Sequence, residues 1–147
     1  MYKHILIPTD GSELSDKAID AGIRFANHIG ARVTGFTAVP EYHIPGESEL
    51  MSRRGVSPLE HDQKTKQQAD LALQKIADRA RAAGVAYDAG YEQSDYPYQA
   101  IIRAAEKNGC DLIFMASHGR RGISALVHGS ETQGVLTHSK IPTLVYR

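Results

Sequence analysis

The chain has 147 residues, of which 41% are hydrophobic and 23% are charged, values typical of one folded domain with its own core. Lysine and arginine together number 17, as do aspartate and glutamate, and this neutral balance argues against a nucleic-acid binder. No apolar run approaches the roughly 20 residues of a membrane span, and no hydrophobic leader precedes the first strand. We therefore expect a single cytoplasmic domain over residues 1–147 that binds neither nucleic acid nor membrane.

The first half of the chain opens with an apolar run, 4–8, which ends in turn residues and predicts a buried strand. A helix follows over 12–29, with a serine as its N-cap and a glycine as its stop. Residues 32–39 predict the second strand. Residues 41–57 have no clear period and predict a long loop.

The second half continues the alternation of helices and strands. A strand at 85–93 alternates only weakly and is not expected at the centre of a sheet, and Pro142 places the last strand on an edge. The predicted elements are, in order, a helix at 58–83, a strand at 85–93, a helix at 95–107, a strand at 111–117, a helix at 130–139 and a strand at 141–146.

This order predicts an α/β fold: a single doubly wound five-stranded parallel sheet with helices on both faces. Ligands of such sheets bind at the carboxyl ends of strands, where the strand order reverses. The first strand ends in Pro8-Thr9-Asp10-Gly11 and the fourth in Ala116-Ser117-His118-Gly119. If these two strands are neighbours, both turns face one crevice.

The stretch from Leu112 to Thr132 carries the strongest functional signal. It begins as a buried strand, breaks into a glycine-rich loop that contains Arg120 and Arg121, and restarts as a helix at Gly129. Backbone N–H groups at a helix start are unpaired and carry partial positive charge, so this pattern suits a phosphate.

At these residues the chain resembles a universal stress protein. The opening residues 5–12 are similar to the family's first strand and acidic turn, and residues 141–145 are similar to its final strand. Residues 115–119, followed after nine residues by Gly129-Ser130, resemble the family's nucleotide motif. The resemblance covers the whole chain and implies the adenine nucleotide alpha hydrolase-like fold.

The family's ATP-binding members imply a site for ATP, or for ADP or AMP, with Mg²⁺ or Mn²⁺ carried on the phosphates. Asp10, after Pro8 and Thr9, would accept hydrogen bonds from the ribose hydroxyls or help to hold the metal. Ala38 and Val39 would meet the adenine through backbone groups and apolar contact.

The fourth strand and the helix after it would complete this implied site. Met115 and Ala116 would line the base and ribose, and His118 and Gly119 would approach the phosphates through the backbone. The residues that would cradle the phosphates at the helix start are Gly129, Ser130, Glu131 and Thr132.

Two positions depart from the family's pattern. Ala116 stands where the motif has its first glycine, and Glu131 replaces a residue that is usually apolar. A carboxylate that pointed toward a triphosphate would be unfavourable, although it also suits the first turn of a helix. Both departures favour an alternative, a dimerising interaction module of the same fold that binds no nucleotide.

Local patterns leave other interpretations open. Asp10 is also a common turn and cap residue, and the Gly119–Gly122 spacing is similar to the RNA-binding loop of a KH domain, which joins two helices rather than following a strand. Ser117 and His118 invite a hydrolase interpretation, but we expect their side chains to point apart, and no G-x-S-x-G elbow is present.

A nucleotide hydrolase or transferase would need a general base, for which only Asp10 and His118 are candidates. We therefore assign no catalytic residue and leave slow ATP hydrolysis open. The seven histidines lack metal-ligand spacing, so no metal is assigned to the protein itself, and Cys110 is expected to be a small core residue.

The sequence therefore predicts a stress-response or signalling switch that binds an adenine nucleotide. The last strand is short, apolar and at the sheet edge, so we also expect a homodimer through Thr143–Tyr146.

Overall fold

A computed structural model describes residues 1–48, 55–119 and 129–147 of the chain. The loop residues Arg120, Arg121 and Gly122, and part of the predicted loop at 41–57, lie outside the described residues. The described strands are β1 His4–Pro8, β2 Arg32–Val39, β3 Tyr87–Gln93, β4 Leu112–Ala116 and β5 Thr143–Tyr146. The helices bounded by these residues are α1 Glu13–Ile29, α2 Pro58–Ala83, α3 Pro97–Lys107 and α4 Ser130–His138.

The five strands form one parallel sheet in the order β3-β2-β1-β4-β5, which confirms the predicted α/β fold. The chain places β2 and β3 on one side of β1 and then crosses over to place β4 and β5 on the other side. There, Ile5 pairs with Leu112 and Leu6 with Ile113. The switch point therefore lies between β1 and β4, which meets the condition under which the two turns face one crevice. β3 and β5 form the two edges, also as expected.

Helices α1 and α2 cover one face of the sheet and run in the same direction. Asp16 pairs with Lys75 at 3.1 Å and, one turn later on both helices, Asp20 pairs with Arg79 at 2.6 Å. Parallel helices on one face are what two right-handed crossovers produce. These two ion pairs link α1 to α2.

The core lies in two layers, one on each side of the sheet. Ile7 and Phe114 pack under α1 and α2, whereas Leu6 and Met115 pack under α3 and α4. Cys110 joins the second layer, and burial raises the pKa of its thiol to about 11, so it behaves as the expected small core residue. Among the described helices, none is long and apolar enough to cross a membrane.

Candidate functional site

The turn after β1 is held by hydrogen bonds to Thr9. Its backbone N–H donates to the carbonyl of Phe36, and its Oγ1 accepts from the N–H of Gly11 at 3.1 Å and from the hydroxyl of Ser15 at 2.8 Å. Thr9 is buried, whereas the next residue, Asp10, is exposed. The turn thus presents the Asp10 carboxylate at the carboxyl edge of the sheet on a fixed backbone.

The turns after β1 and β4 are in contact. The Asp10 carboxylate lies so close to Gly119 that a Cβ atom at position 119 would overlap it. Oδ1 of Asp10 also accepts a hydrogen bond from the N–H of Ser12 at 2.9 Å, which ties the same side chain to the start of α1. The two turns that the sequence places at one crevice do meet there.

Helix α4 begins against the turn after β4. The N–H of Gly129 donates to the carbonyl of Ser117 at 2.8 Å, and a Cβ atom at position 129 would lie 3.2 Å from Cα of His118. Gly129 is the N-cap residue and supplies no side-chain hydrogen bond, and Ser130 is exposed. The first N–H groups of α4 therefore lack the side-chain cap that most helix starts use, beside the turn expected to approach phosphates.

Thr132 is turned into the protein rather than toward a ligand. It is 2% exposed, and its Oγ1 donates a hydrogen bond to the carbonyl of Ala116 at 2.9 Å. This bond joins the first turn of α4 to the end of β4. The side chain of Thr132 therefore stabilises the helix start. Of the groups of Thr132, only the backbone N–H is left as a candidate for phosphate contact.

The side chain of Glu131 extends from α4 to the start of α3. Its Oε2 accepts a hydrogen bond from the backbone N–H of Tyr98 at 2.6 Å, in the first turn of α3. Sequence reasoning missed this contact. The only signal for it is that Tyr96, the N-cap residue of α3, has a side chain poorly suited to capping.

Ser117 and His118 are closer than expected. The prediction that their side chains point apart is wrong, because Ser117 Oγ and His118 Nδ1 lie 3.1 Å apart. Ser117 is 6% exposed, so its hydroxyl needs a partner inside the protein, and the adjacent ring supplies one.

The residues assigned to the base and ribose lie at the same edge of the sheet. Ala38 and Met115 pack in the layer under α3 and α4, and Met115 is buried. Val39 is buried, and its carbonyl accepts a hydrogen bond from the N–H of Ser94 at 2.8 Å. Contact of these residues with an adenine ring stays a prediction.

An open cleft of about 350 Å³ lies between the first turn of α1 and the turn after β4. Lys17 lines it, beside His118 and Gly119, and pairs with Glu13 at 3.3 Å. Sequence reasoning did not single out this lysine. Over residues 1–48, 55–119 and 129–147, no group of three or more His, Cys, Asp or Glu side chains is placed to hold a metal ion.

Comparison with known proteins gives one consistent result. A family model described as the universal stress protein family matches residues 1–147. Universal stress protein MJ0531 of Methanocaldococcus jannaschii is 30% identical over the whole chain and 83% of that relative. The solved structure of MJ0577 from the same organism has a TM-score of 0.77 at 27% identity, covering 99% of this chain and 95% of the other.

Three more distant structures contain adenine nucleotides. A universal stress protein in complex with cAMP has a TM-score of 0.69 at 23% identity, over 99% of this chain and 97% of that one. A protein from Archaeoglobus fulgidus in complex with dAMP has a TM-score of 0.65 at 14% identity, over 99% and 98%. One from Arabidopsis thaliana with AMP bound has 0.67 at 12%, over 97% and 90%. At these identities the likeness shows the fold alone.

Proposed function

The chain belongs to the universal stress protein family, and from this premise we propose that it binds ATP or a related adenine nucleotide at the carboxyl ends of β1 and β4. The bound nucleotide acts as a stress-response or signalling switch. The observation that carries this proposal is the start of α4, where a Cβ atom at position 129 would crowd His118 and no side chain caps the helix. A helix start of this kind is a ready anion site.

The glycines of the crevice support the same proposal. A Cβ atom at position 119 would overlap the Asp10 carboxylate, and one at position 129 would crowd His118, so glycine at both positions allows the backbone to approach closely here, as phosphate contact through backbone N–H groups requires. Structures of the same fold contain cAMP, dAMP or AMP, and these ligands suggest an adenine nucleotide as the class of ligand for this site. Phosphate oxygens, with Asp10 beside them, would carry a Mg²⁺ or Mn²⁺ ion.

The two departures from the family's motif fit nucleotide binding. Ala116 is the last residue of β4, where the extended backbone accepts any residue, so the strand itself does not require glycine there. The Glu131 carboxylate is bound to Tyr98 and is not aimed at the crevice. Both features weaken the case for a module that binds no nucleotide.

We also infer a homodimer through β5. The carbonyl of Pro142 accepts a hydrogen bond from Ile113 in β4, and that of Tyr146 accepts one from Ser117, the residue after β4. The backbone groups of Thr143 and Val145 therefore point outward at the free edge. All four residues of β5 are half-buried in the single chain. A second copy pairing with this edge would satisfy the outward groups and cover the apolar side chains.

A thermal-shift series tests the proposed function, because a ligand that binds the folded state raises the melting temperature. ATP, ADP, AMP and cAMP, each with and without Mg²⁺, should raise it, and GTP and CTP should not. Asp10→Ala should reduce the shift. A folded wild-type protein that responds to none of these nucleotides would favour the dimerising module instead.

A further inference from the structure

Glu131 caps a helix to which it does not belong. It is the second residue of α4, yet its Oε2 accepts a hydrogen bond from the N–H of Tyr98, the second residue of α3. Tyr96, the N-cap residue of α3, supplies no side-chain hydrogen bond. The Glu131 carboxylate therefore fills the role that a serine or aspartate plays at an ordinary helix start.

The ring of Tyr98 extends this contact along α4. It lies on Gly134, where a Cβ atom would overlap the ring, and it stacks on His138 with centroids 5.4 Å apart and planes at 24°. Glu131, Gly134 and His138 follow one another at helical spacings of three and four residues, so they share one face of α4. This face is docked on the start of α3 from its first turn to its last.

The contact also separates two negative charges. A carboxylate in the first turn of α4 would compete with a phosphate for the positive end of that helix. The hydrogen bond to Tyr98 places the charge of Glu131 at the positive end of α3 instead. The positive end of α4 therefore remains available to a phosphate group of the ligand.

We propose that Glu131 is a positioning residue of the nucleotide site, a role that rests on the proposed function. By capping α3 it fixes where α4 begins, and so holds Gly129 against His118 without touching the nucleotide itself. The residue that departs from the family's pattern then supports phosphate binding rather than opposing it.

Calorimetric titration with ATP and AMP of the wild type, Glu131→Gln and Glu131→Ala tests this role. Glutamine keeps an oxygen acceptor and removes the charge, whereas alanine removes both. We expect Glu131→Gln to bind ATP within about twofold of the wild type and Glu131→Ala to bind about tenfold more weakly, if most of the stability that the cap gives to the start of α3 is spent on holding α4 in its binding position. If both variants bind ATP more tightly, and AMP less so, Glu131 faces the phosphates and the inference is overturned.

Asn108→Ala is the matched control, because Asn108 donates to the carbonyl of Ala104 at 2.7 Å at the far end of α3. It should lower the melting temperature and leave ATP affinity unchanged. If Glu131→Ala behaves in the same way, its role is only structural and the inference fails while the proposed function stands. A wild type that binds neither nucleotide contradicts the proposed function itself.

Gly134→Ala tests the docking of α4 without altering Glu131, should Glu131→Ala fold poorly. Its added methyl would push against the Tyr98 ring and shift α4. Weaker ATP binding by the folded variant supports the inference, and unchanged binding counts against it.

Discussion

The carboxylate of Asp10 occupies the place that a Cβ atom at position 119 would take, so the turns that end β1 and β4 meet at the switch point of the sheet. No larger residue fits at position 119 while Asp10 keeps its place. Because Asp10 also accepts from the N–H of Ser12, its carboxylate is set by both neighbours. The geometry of the proposed nucleotide site therefore depends on a side chain and a glycine 109 positions apart in the chain.

We predict that Gly119→Ala weakens ATP binding about tenfold, the scale of one hydrogen bond to a charged group, because the methyl displaces the Asp10 carboxylate. Calorimetry measures the affinity, and Gly90→Ala is the matched control, since a Cβ atom at position 90 meets nothing within 4 Å. Equal ATP affinity in Gly119→Ala and the wild type would mean that the position of Asp10 does not matter for binding.

We predict that the homodimer through β5 depends on one backbone donor, the N–H of Val145. Val145→Pro removes an N–H that points away from β4, so it should leave the fold intact and abolish strand pairing between copies. Size-exclusion chromatography with light scattering should show a dimeric wild type and a monomeric variant at micromolar concentration. Val145→Ile, which keeps the donor, should stay dimeric. A monomeric wild type would end this proposal.

The lowered pKa of His4 predicts that the folded protein loses stability on mild acidification. Burial lowers the pKa of His4, and the charge of Arg32 acts in the same direction. Between this lowered pKa and the value of about 6.5 for an unfolded chain, the unfolded state binds more protons, so the free energy of unfolding falls as pH falls through this window.

His4→Gln removes this titration and keeps a polar partner for Thr34 Oγ1, which lies 2.7 Å from Nε2 of His4. Urea unfolding from about pH 7.5 to 5.5 should show a flatter dependence in the variant than in the wild type. Identical slopes in the two proteins would show that His4 does not titrate differently on folding.

Local signals predict much of this fold. The N-cap serine of α1 and the glycines that end α1 and α2 act within one or two turns, so these helix ends appear where expected. The ends of a strand differ from the predicted ends where side-chain hydrogen bonds stabilise a turn instead of the strand. Thr143 Oγ1 donates to the carbonyl of Ile141, and the N–H of Ile141 donates to Ser139 Oγ, so β5 begins two residues later than the apolar run.

Contacts between distant residues could not be predicted in this way. Glu131 reaches Tyr98 only because α3 and α4 pack side by side, and no spacing in the sequence encodes that distance. The adjacent side chains of Ser117 and His118 also differ from the prediction, because the burial of Ser117 depends on the folded sheet and leaves its hydroxyl the His118 ring as a partner. The position of Lys17 in the cleft likewise follows from the placement of α1 beside the turn after β4.

The most direct test of nucleotide binding at the start of α4 is calorimetric titration of ATP, with Mg²⁺, into the wild type and Gly129→Val. Valine would fill the space against His118 and block a phosphate from the helix start. We predict measurable binding to the wild type and none to a Gly129→Val variant that retains the far-UV circular dichroism of the wild type. Equal binding by the two proteins, or none by a folded wild type, would contradict the proposed site.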